Sequence, residues 1–208
     1  MGISIQINNI GKRYLREWIF RKLSVSVPPA SKYVLLGANG SGKSTLLQVM
    51  ANFQIPTEGI ITYSDGNSAI EPDNIYQSLS IASPYMELIE EYTPVESIEH
   101  QAIYKAFQNS FSTKDVLEIA QLSHASAKHI KFFSSGMKQR LKIALAVLAD
   151  CPLLLLDEPV SNLDKQAIEW YKQLIQQYAM HKTIVVCSNK ISDEYEFCDK
   201  QIDIENYK

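Results

Sequence analysis

The segment Gly37-Ala38-Asn39-Gly40-Ser41-Gly42-Lys43-Ser44 constrains this chain most, because the apolar run Lys32 to Leu36 precedes it and Leu46, Leu47 and Met50 follow at helical spacing. Glycine, four residues, glycine, lysine and serine is the pattern of a phosphate-binding loop between a strand and a helix. The chemistry asks for those residue types. Phosphate oxygens need several backbone N–H groups aimed at one point, glycines let the backbone close around them, and the helix N-terminus adds a favourable dipole. Lys43 then neutralises the terminal phosphates, and the hydroxyl of Ser44, followed by Thr45, can ligate magnesium.

Around that unit the chain alternates between strand and helix patterns. Ile3, Ile5 and Ile7, and later Leu23, Val25 and Val27 before Pro28-Pro29, alternate with polar residues and predict two antiparallel strands. Glu58 to Ile70 holds a strand, an Asp65-Gly66 turn and a return strand. From Tyr85 to about Ser134 the pattern turns helical, with N-terminal capping signals at Thr93, Pro94 and Glu96 and again at Ser112 and Asp115. A helix from about Met137 to Ala149 and a buried strand Leu153 to Asp157 come next. A helix from Asp164 to about Ala179 follows, with Ile168, Tyr171, Ile175 and Tyr178 on one face, and then a strand Thr183 to Ser188. Strands alternating with helices imply parallel pairing, so the expected class is α/β, with a mixed-sheet core, N-terminal antiparallel strands and an inserted helical subdomain. At 208 residues one domain suffices, with 1–84 and 137–208 as the core and 85–136 as the helical part.

Leu153 to Pro159 reads LLLLDEP, an apolar strand that ends in two carboxylates at the carboxyl edge of the sheet, where α/β folds bind ligands. Asp157 is suited to hold a magnesium shell there. Glu158, beside a γ-phosphate, can orient or deprotonate an attacking water.

Charge and apolar runs exclude other classes. Lysine and arginine number 20 against 23 aspartates and glutamates, a net charge of −3, so nucleic acid is not an expected partner. The longest apolar stretches, Ile143 to Ala149 and Leu153 to Leu156, fall far short of the roughly 18 to 20 residues that cross a bilayer. The alternating start reads as a strand rather than a signal peptide, which gives a cytoplasmic expectation. Cys151, Cys187 and Cys198 have no metal-ligand spacing and read as reduced, buried thiols. His100, His124, His129 and His181 share no helix spacing or carboxylate partners and read as solvated or structural.

Taken in order, GANGSGKST, the helical insertion, Phe133-Ser134-Ser135-Gly136-Met137 with Lys138-Gln139-Arg140, LLLLDEP and Ser161-Asn162-Leu163-Asp164 resemble the ATP-binding cassette, or ABC, ATPases over nearly the whole chain. The resemblance implies ATP and Mg²⁺ as cofactors. It puts Ser134, Ser135 and Gly136 in a signature segment that reaches the γ-phosphate held by a second subunit, in a head-to-tail homodimer or paralogous dimer. Tyr14, 23 residues before Gly37, takes the place of an aromatic that stacks on adenine, with Trp18 and Phe20 as alternatives. A separately encoded integral membrane permease would dock on the helical lobe and keep the chain on the inner face of the cell membrane.

Three departures from the family pattern stand out. Leu79 to Pro84 lacks the usual glutamine, with Gln77 too early and Ser83 or Glu87 left either to substitute or to serve as plain loop. Met137 replaces the last glutamine of the usual signature, and Asn189 stands where the family has a histidine. Asparagine can hydrogen-bond a γ-phosphate without carrying positive charge. Asn189 is therefore either a member of the site or a cap for a helix around Ser192 to Phe197. The implied function is an ATP-hydrolysing subunit that energises a permease, the alternative being a regulatory or soluble ATP switch with weak or no hydrolysis. The single cassette, the lack of a long coiled-coil insertion and the net charge disfavour a repair or translation ATPase.

Overall fold

The computed structural model describes residues 2–208 and arranges their strands in two sheets. The first is antiparallel and runs in the order β2-β1-β4-β5, formed by β1 (Ser4–Tyr14), β2 (Glu17–Val27), β4 (Glu58–Ser64) and β5 (Ala69–Ile70). The second is parallel throughout and runs β6-β7-β8-β3-β9, formed by β3 (Lys32–Leu36), β6 (Leu79–Ala82), β7 (Leu153–Asp157), β8 (Thr183–Ser188) and β9 (Lys200–Asp203). The mixed core expected from the sequence thus separates into one sheet of each kind.

Burial explains the two patterns. On β1, Ile5, Ile7 and Ile10 are fully buried while Gln6 and Asn8 are exposed, so one face of that sheet meets the core and the other meets solvent. β7 and β8 are buried along their whole length and apolar in all but their terminal positions, because both of their faces are covered. Leu153, Leu155, Val185 and Cys187 join the layer shared with the antiparallel sheet and helix α1 (Lys43–Met50). Leu154, Leu156, Ile184 and Val186 face the layer built from α4 (Ser135–Leu148) and α5 (Lys165–Tyr178).

Both capping signals form complete capping boxes, at α2 (Pro94–Tyr104) and α3 (Thr113–Ile119). Up to Ser134 the rest of this segment is loops and short 3-10 turns, and Ser135 and Gly136 already open α4. Ile98, Val116, Leu117 and Ile130 pack into the α4 and α5 layer, so the helical part shares its core with the parallel sheet. On α5 the buried face centres on Ala167, Trp170, Tyr171, Leu174 and Ile175, and Ile168 and Tyr178 sit half-buried at its margin. β9 escaped the sequence reading because three of its four residues, Lys200, Gln201 and Asp203, are polar. In place of a helix around Ser192 to Phe197 there is one 3-10 turn, Ser192–Glu194.

Candidate functional site

β7, β8 and β3 are neighbours and end level, with Asp157 opposite Cys187 and Leu36 opposite Ser188, so the segments that follow them converge. The loop after β3 carries Lys43, the one after β7 carries Glu158 and the one after β8 carries Asn189. Gly42 caps α1 at φ +103°, and a Cβ there would stand 2.3 Å from Ile19 Cγ2, so any other residue would be strained and would displace the Ile19 side chain. Ser41 is buried in the same loop, whereas Ala38, Asn39 and Gly40 are exposed.

Lys43 is only 4% exposed, and its ammonium donates to Gly37 O at 2.9 Å, Ala38 O at 2.9 Å and Asn189 Oδ1 at 2.6 Å. Asn189 Nδ2 donates in turn to Glu158 Oε1 at 2.7 Å. Only one amide orientation serves both partners, oxygen to the cation and nitrogen to the carboxylate. Asn189 therefore lies between Lys43 and Glu158, and the 3-10 turn that follows has Ile191 at its N-cap instead. Glu158 itself holds a left-handed backbone at φ +47°, with its N–H on Cys187 O at 3.0 Å, a conformation that costs energy in a residue with a Cβ and aims the side chain out of the sheet edge.

Asp157 is 2% exposed and accepts from Ser44 Oγ at 3.1 Å and from Ser83 Oγ at 3.2 Å. Burial pushes its carboxyl up, and the two hydroxyls and Lys43 oppose that shift. This set of hard oxygen donors fits magnesium. Among the described residues no cluster of three or more His, Cys, Asp or Glu could hold a metal by itself. Magnesium shared with a nucleotide needs no such cluster, since phosphate and water complete its shell. Of the residues weighed for the missing glutamine, Ser83 reaches Asp157, Glu87 is exposed on a separate groove, and Gln77 bonds Tyr76 near the opposite end of β6.

A cleft of about 620 Å³ opens beside this cluster, lined by Tyr14, Asn39, Gly40, Lys43, Ser44, Thr45 and Glu158 among others. Of the three candidate aromatics, Phe20 is fully buried and Trp18 is covered by Arg21 and Arg13, at 4.3 and 5.2 Å from its ring, so only Tyr14 reaches the cleft. The Tyr14 hydroxyl bonds Gln54, and Lys12 lies 5.2 Å from its ring. Ile19, Gln48, Gln54 and Tyr85 also line the cleft and were missed in the sequence, where no local motif marks them.

Ser134, Ser135 and Gly136 do not line the cleft and sit on another part of the surface. Ser134 caps α4 and accepts from Met137 N at 3.2 Å. A Cβ on Gly136 would come within 3.2 Å of Asn162 O, which ties this helix start to the loop after Glu158. All four histidines lie away from the site, with His100 edge-on to Tyr92 and Tyr104 and His129 bonded to Glu91 O. Cys151 and Cys187 are buried and Cys198 is half-buried, all three as free thiols.

One buried acid went unremarked in the sequence. Glu194 is 1% exposed and neither carboxyl oxygen meets a hydrogen-bond partner. Burial pushes it up to about 7, the nearby Ser188 side chain and Val160 backbone oppose that rise, and Glu158 and Asp157 add to it.

A family model described as "ABC transporter" matches residues 20–161. The ABC transporter ATP-binding protein YcbN of Bacillus subtilis (strain 168) is 29% identical over 203 residues, covering 96% of this chain and 66% of YcbN. The bacitracin transport ATP-binding protein BcrA of Enterococcus faecalis is 29% identical over 204 residues, covering 96% of this chain and 65% of BcrA. The chain thus spans about two thirds of the length of both relatives. Among solved structures, the dimeric bacterial ABC transporter cassette MJ0796 shares the fold with a TM-score of 0.80 at 24% identity, over 96% of this chain and 94% of that one. A bacterial Atm1-family ABC exporter with ATP bound has a TM-score of 0.76 at 25% identity, over 92% of this chain and 35% of the exporter.

Proposed function

The chain belongs to the ABC transporter family, and on that premise we propose that it is an ATP-binding and ATP-hydrolysing subunit that energises a separate membrane permease. The continuous chain Lys43, Asn189, Glu158 beside the Ser44 and Asp157 pair carries this reading. In it, the N–H groups of the loop from Gly37 to Thr45 cradle the phosphates and Lys43 exchanges Asn189 for phosphate oxygens. Ser44 and Asp157, with Ser83 behind them, would hold Mg²⁺, which neutralises charge on the β- and γ-phosphate oxygens when bound. Glu158 orients the attacking water and takes its proton, and the Asn189 amide donates toward the γ-phosphate. Tyr14 stacks on adenine from the open end of the cleft.

Ser134, Ser135 and Gly136 complete the site of a second subunit in this reading, since a capped helix start is an anion site and theirs is exposed, outside their own cleft. No helix among the described residues is long and apolar enough to cross a membrane. The permease would dock on the 85–136 helical part, where a groove of about 700 Å³ is lined by Met86, Leu88 and Ile89 together with Glu87, Glu90 and Glu91. That contact would hold the chain to the inner face of the membrane.

Turnover of MgATP by purified wild type and Glu158→Gln, measured beside light scattering, tests the proposal. The expected result is hydrolysis by the wild type and an ATP-bound, non-hydrolysing dimer for the variant. ATP-dependent dimerisation of the wild type without turnover would move the reading to a switch, and no MgATP binding at all would end it.

A further inference from the structure

Both polar atoms of the peptide group joining Gly37 to Ala38 are bonded to charged side chains. Its carbonyl oxygen accepts from Lys43 Nζ at 2.9 Å, and its N–H donates to Glu205 Oε1, also at 2.9 Å. A cation and a carboxylate therefore hold opposite ends of one peptide dipole, and each bond polarises the group in the sense that strengthens the other. Glu205 lies 167 positions beyond Ala38, on the 3-10 turn Ile204–Tyr207. It arrives there because β9 runs parallel to β3 with Asp203 opposite Leu36, so the turn and the phosphate loop leave the sheet at the same level.

The turn is well anchored. Asp203 Oδ1 accepts from the Glu205 backbone N–H at 3.0 Å, which fixes the start of the turn. Ile204 is fully buried behind the loop, where a Cβ on Gly37 would stand 2.8 Å from its Cγ2, and Tyr207 packs on the same core layer. A short turn held this way presents Glu205 to Ala38 with little freedom left to lose.

We propose that Glu205 is a positioning residue for the nucleotide site: it fixes the plane of the Gly37–Ala38 peptide and, through the Gly37 carbonyl, the place of the Lys43 ammonium. The inference rests on the ATP-binding reading above. Without the carboxylate, the exposed Ala38 N–H turns to water and the Gly37 carbonyl loses its fixed direction. Lys43 then keeps fewer fixed acceptors and must be ordered again at each binding event, a cost that appears in affinity.

Glu205→Ala and Glu205→Gln, compared with the wild type for MgATP affinity, KM, kcat and melting temperature, test this. Glu205→Ala should raise Kd and KM by about 3- to 10-fold and change kcat less, the size expected for one lost hydrogen bond. Glu205→Gln keeps an oxygen that accepts from Ala38 N–H and should restore most of the affinity. Unchanged Kd and KM in Glu205→Ala overturn the inference, whether or not the melting temperature falls. Tighter binding in both variants also overturns it, because Glu205 would then act by repelling phosphate. If Glu205→Ala does not fold, Glu205→Ser, too short to reach Ala38, carries the same expectation. A wild type that binds no MgATP would remove the ATP-binding reading itself, a result distinct from unaltered variants of a binding protein.

Discussion

Asn189 is the residue on which the site's chemistry turns, because one neutral amide joins the loop cation to the carboxylate at 2.6 and 2.7 Å. Removing it frees Lys43 for phosphate but leaves Glu158 unguided. We expect Asn189→Ala to bind MgATP as well as the wild type and to hydrolyse it on the order of 10-fold more slowly, short of the roughly 100-fold or more that a lost oxyanion-hole donor costs, because Asn189 is a neutral donor on a short side chain. Asn189→His should be equal or faster. Steady-state rates normalised to folded protein, beside melting curves, check this, and an unchanged rate in Asn189→Ala would remove the residue from the site. Glu194 yields a pH prediction. Its carboxyl titrates near 7 in the fold against an ordinary 4.5, so the stability it contributes is complete below 4.5 and is lost as pH rises through 7. The loss is on the order of 3 kcal/mol for a shift of that size. Glu194→Gln should therefore gain stability relative to the wild type between pH 5.5 and pH 8, and urea melts at the two pH values measure the difference.

At the level of elements, the helical part depends on its caps as much as on its core. Thr93 accepts from Glu96 N at 3.2 Å, and Glu96 returns two bonds, one to Thr93 N at 2.7 Å. The bonds hold the Glu96 carboxyl below its ordinary range, as expected for an acid at a helix N-terminus. Thr93→Ala should cost about 1 kcal/mol and leave MgATP affinity unchanged, because α2 lies outside the proposed nucleotide cleft. Denaturant unfolding with and without nucleotide reads both quantities. α4 is secured at its other end by Lys182, a fully buried lysine that donates to Val147 O at 2.8 Å and Ala149 O at 2.6 Å. Burial pushes that ammonium down to about 8, and the helix's terminal carbonyls supply the partners that make its burial tolerable.

The whole molecule presents the cleft beside Lys43 and the Ser134 to Gly136 helix start on separate surfaces, so the proposed turnover is expected to require assembly. Gly136→Asp should leave MgATP binding to the isolated chain intact, abolish the ATP-dependent dimer in the Glu158→Gln background, and abolish hydrolysis in the otherwise wild-type chain. A dimer that persisted by light scattering would detach this helix start from the partner's site. Much of the architecture was legible in the residues because its signals are local. GANGSGKS specifies a strand, loop and helix within a few residues, LLLLDE marks a strand buried on both faces that ends in carboxylates, and the two capping boxes mark helix starts. The contacts that join these pieces were not legible. Ser83 reaches Asp157 across 74 positions, Lys43 reaches Asn189 across 146 and Ala38 reaches Glu205 across 167. Periodicity says which residues are buried, yet it does not encode the strand order β6-β7-β8-β3-β9 that brings those residues to one sheet edge. By itself the sequence determined the α/β class, the strand, glycine loop and helix around Gly37 to Ser44 and the acidic strand end, since each follows from the conformational demands of adjacent residues. Only the tertiary structure decided that Asn189 bridges cation and carboxylate, that Ser83 stands beside Asp157 and that Glu205 braces the loop, because these depend on which strands pair and where they end.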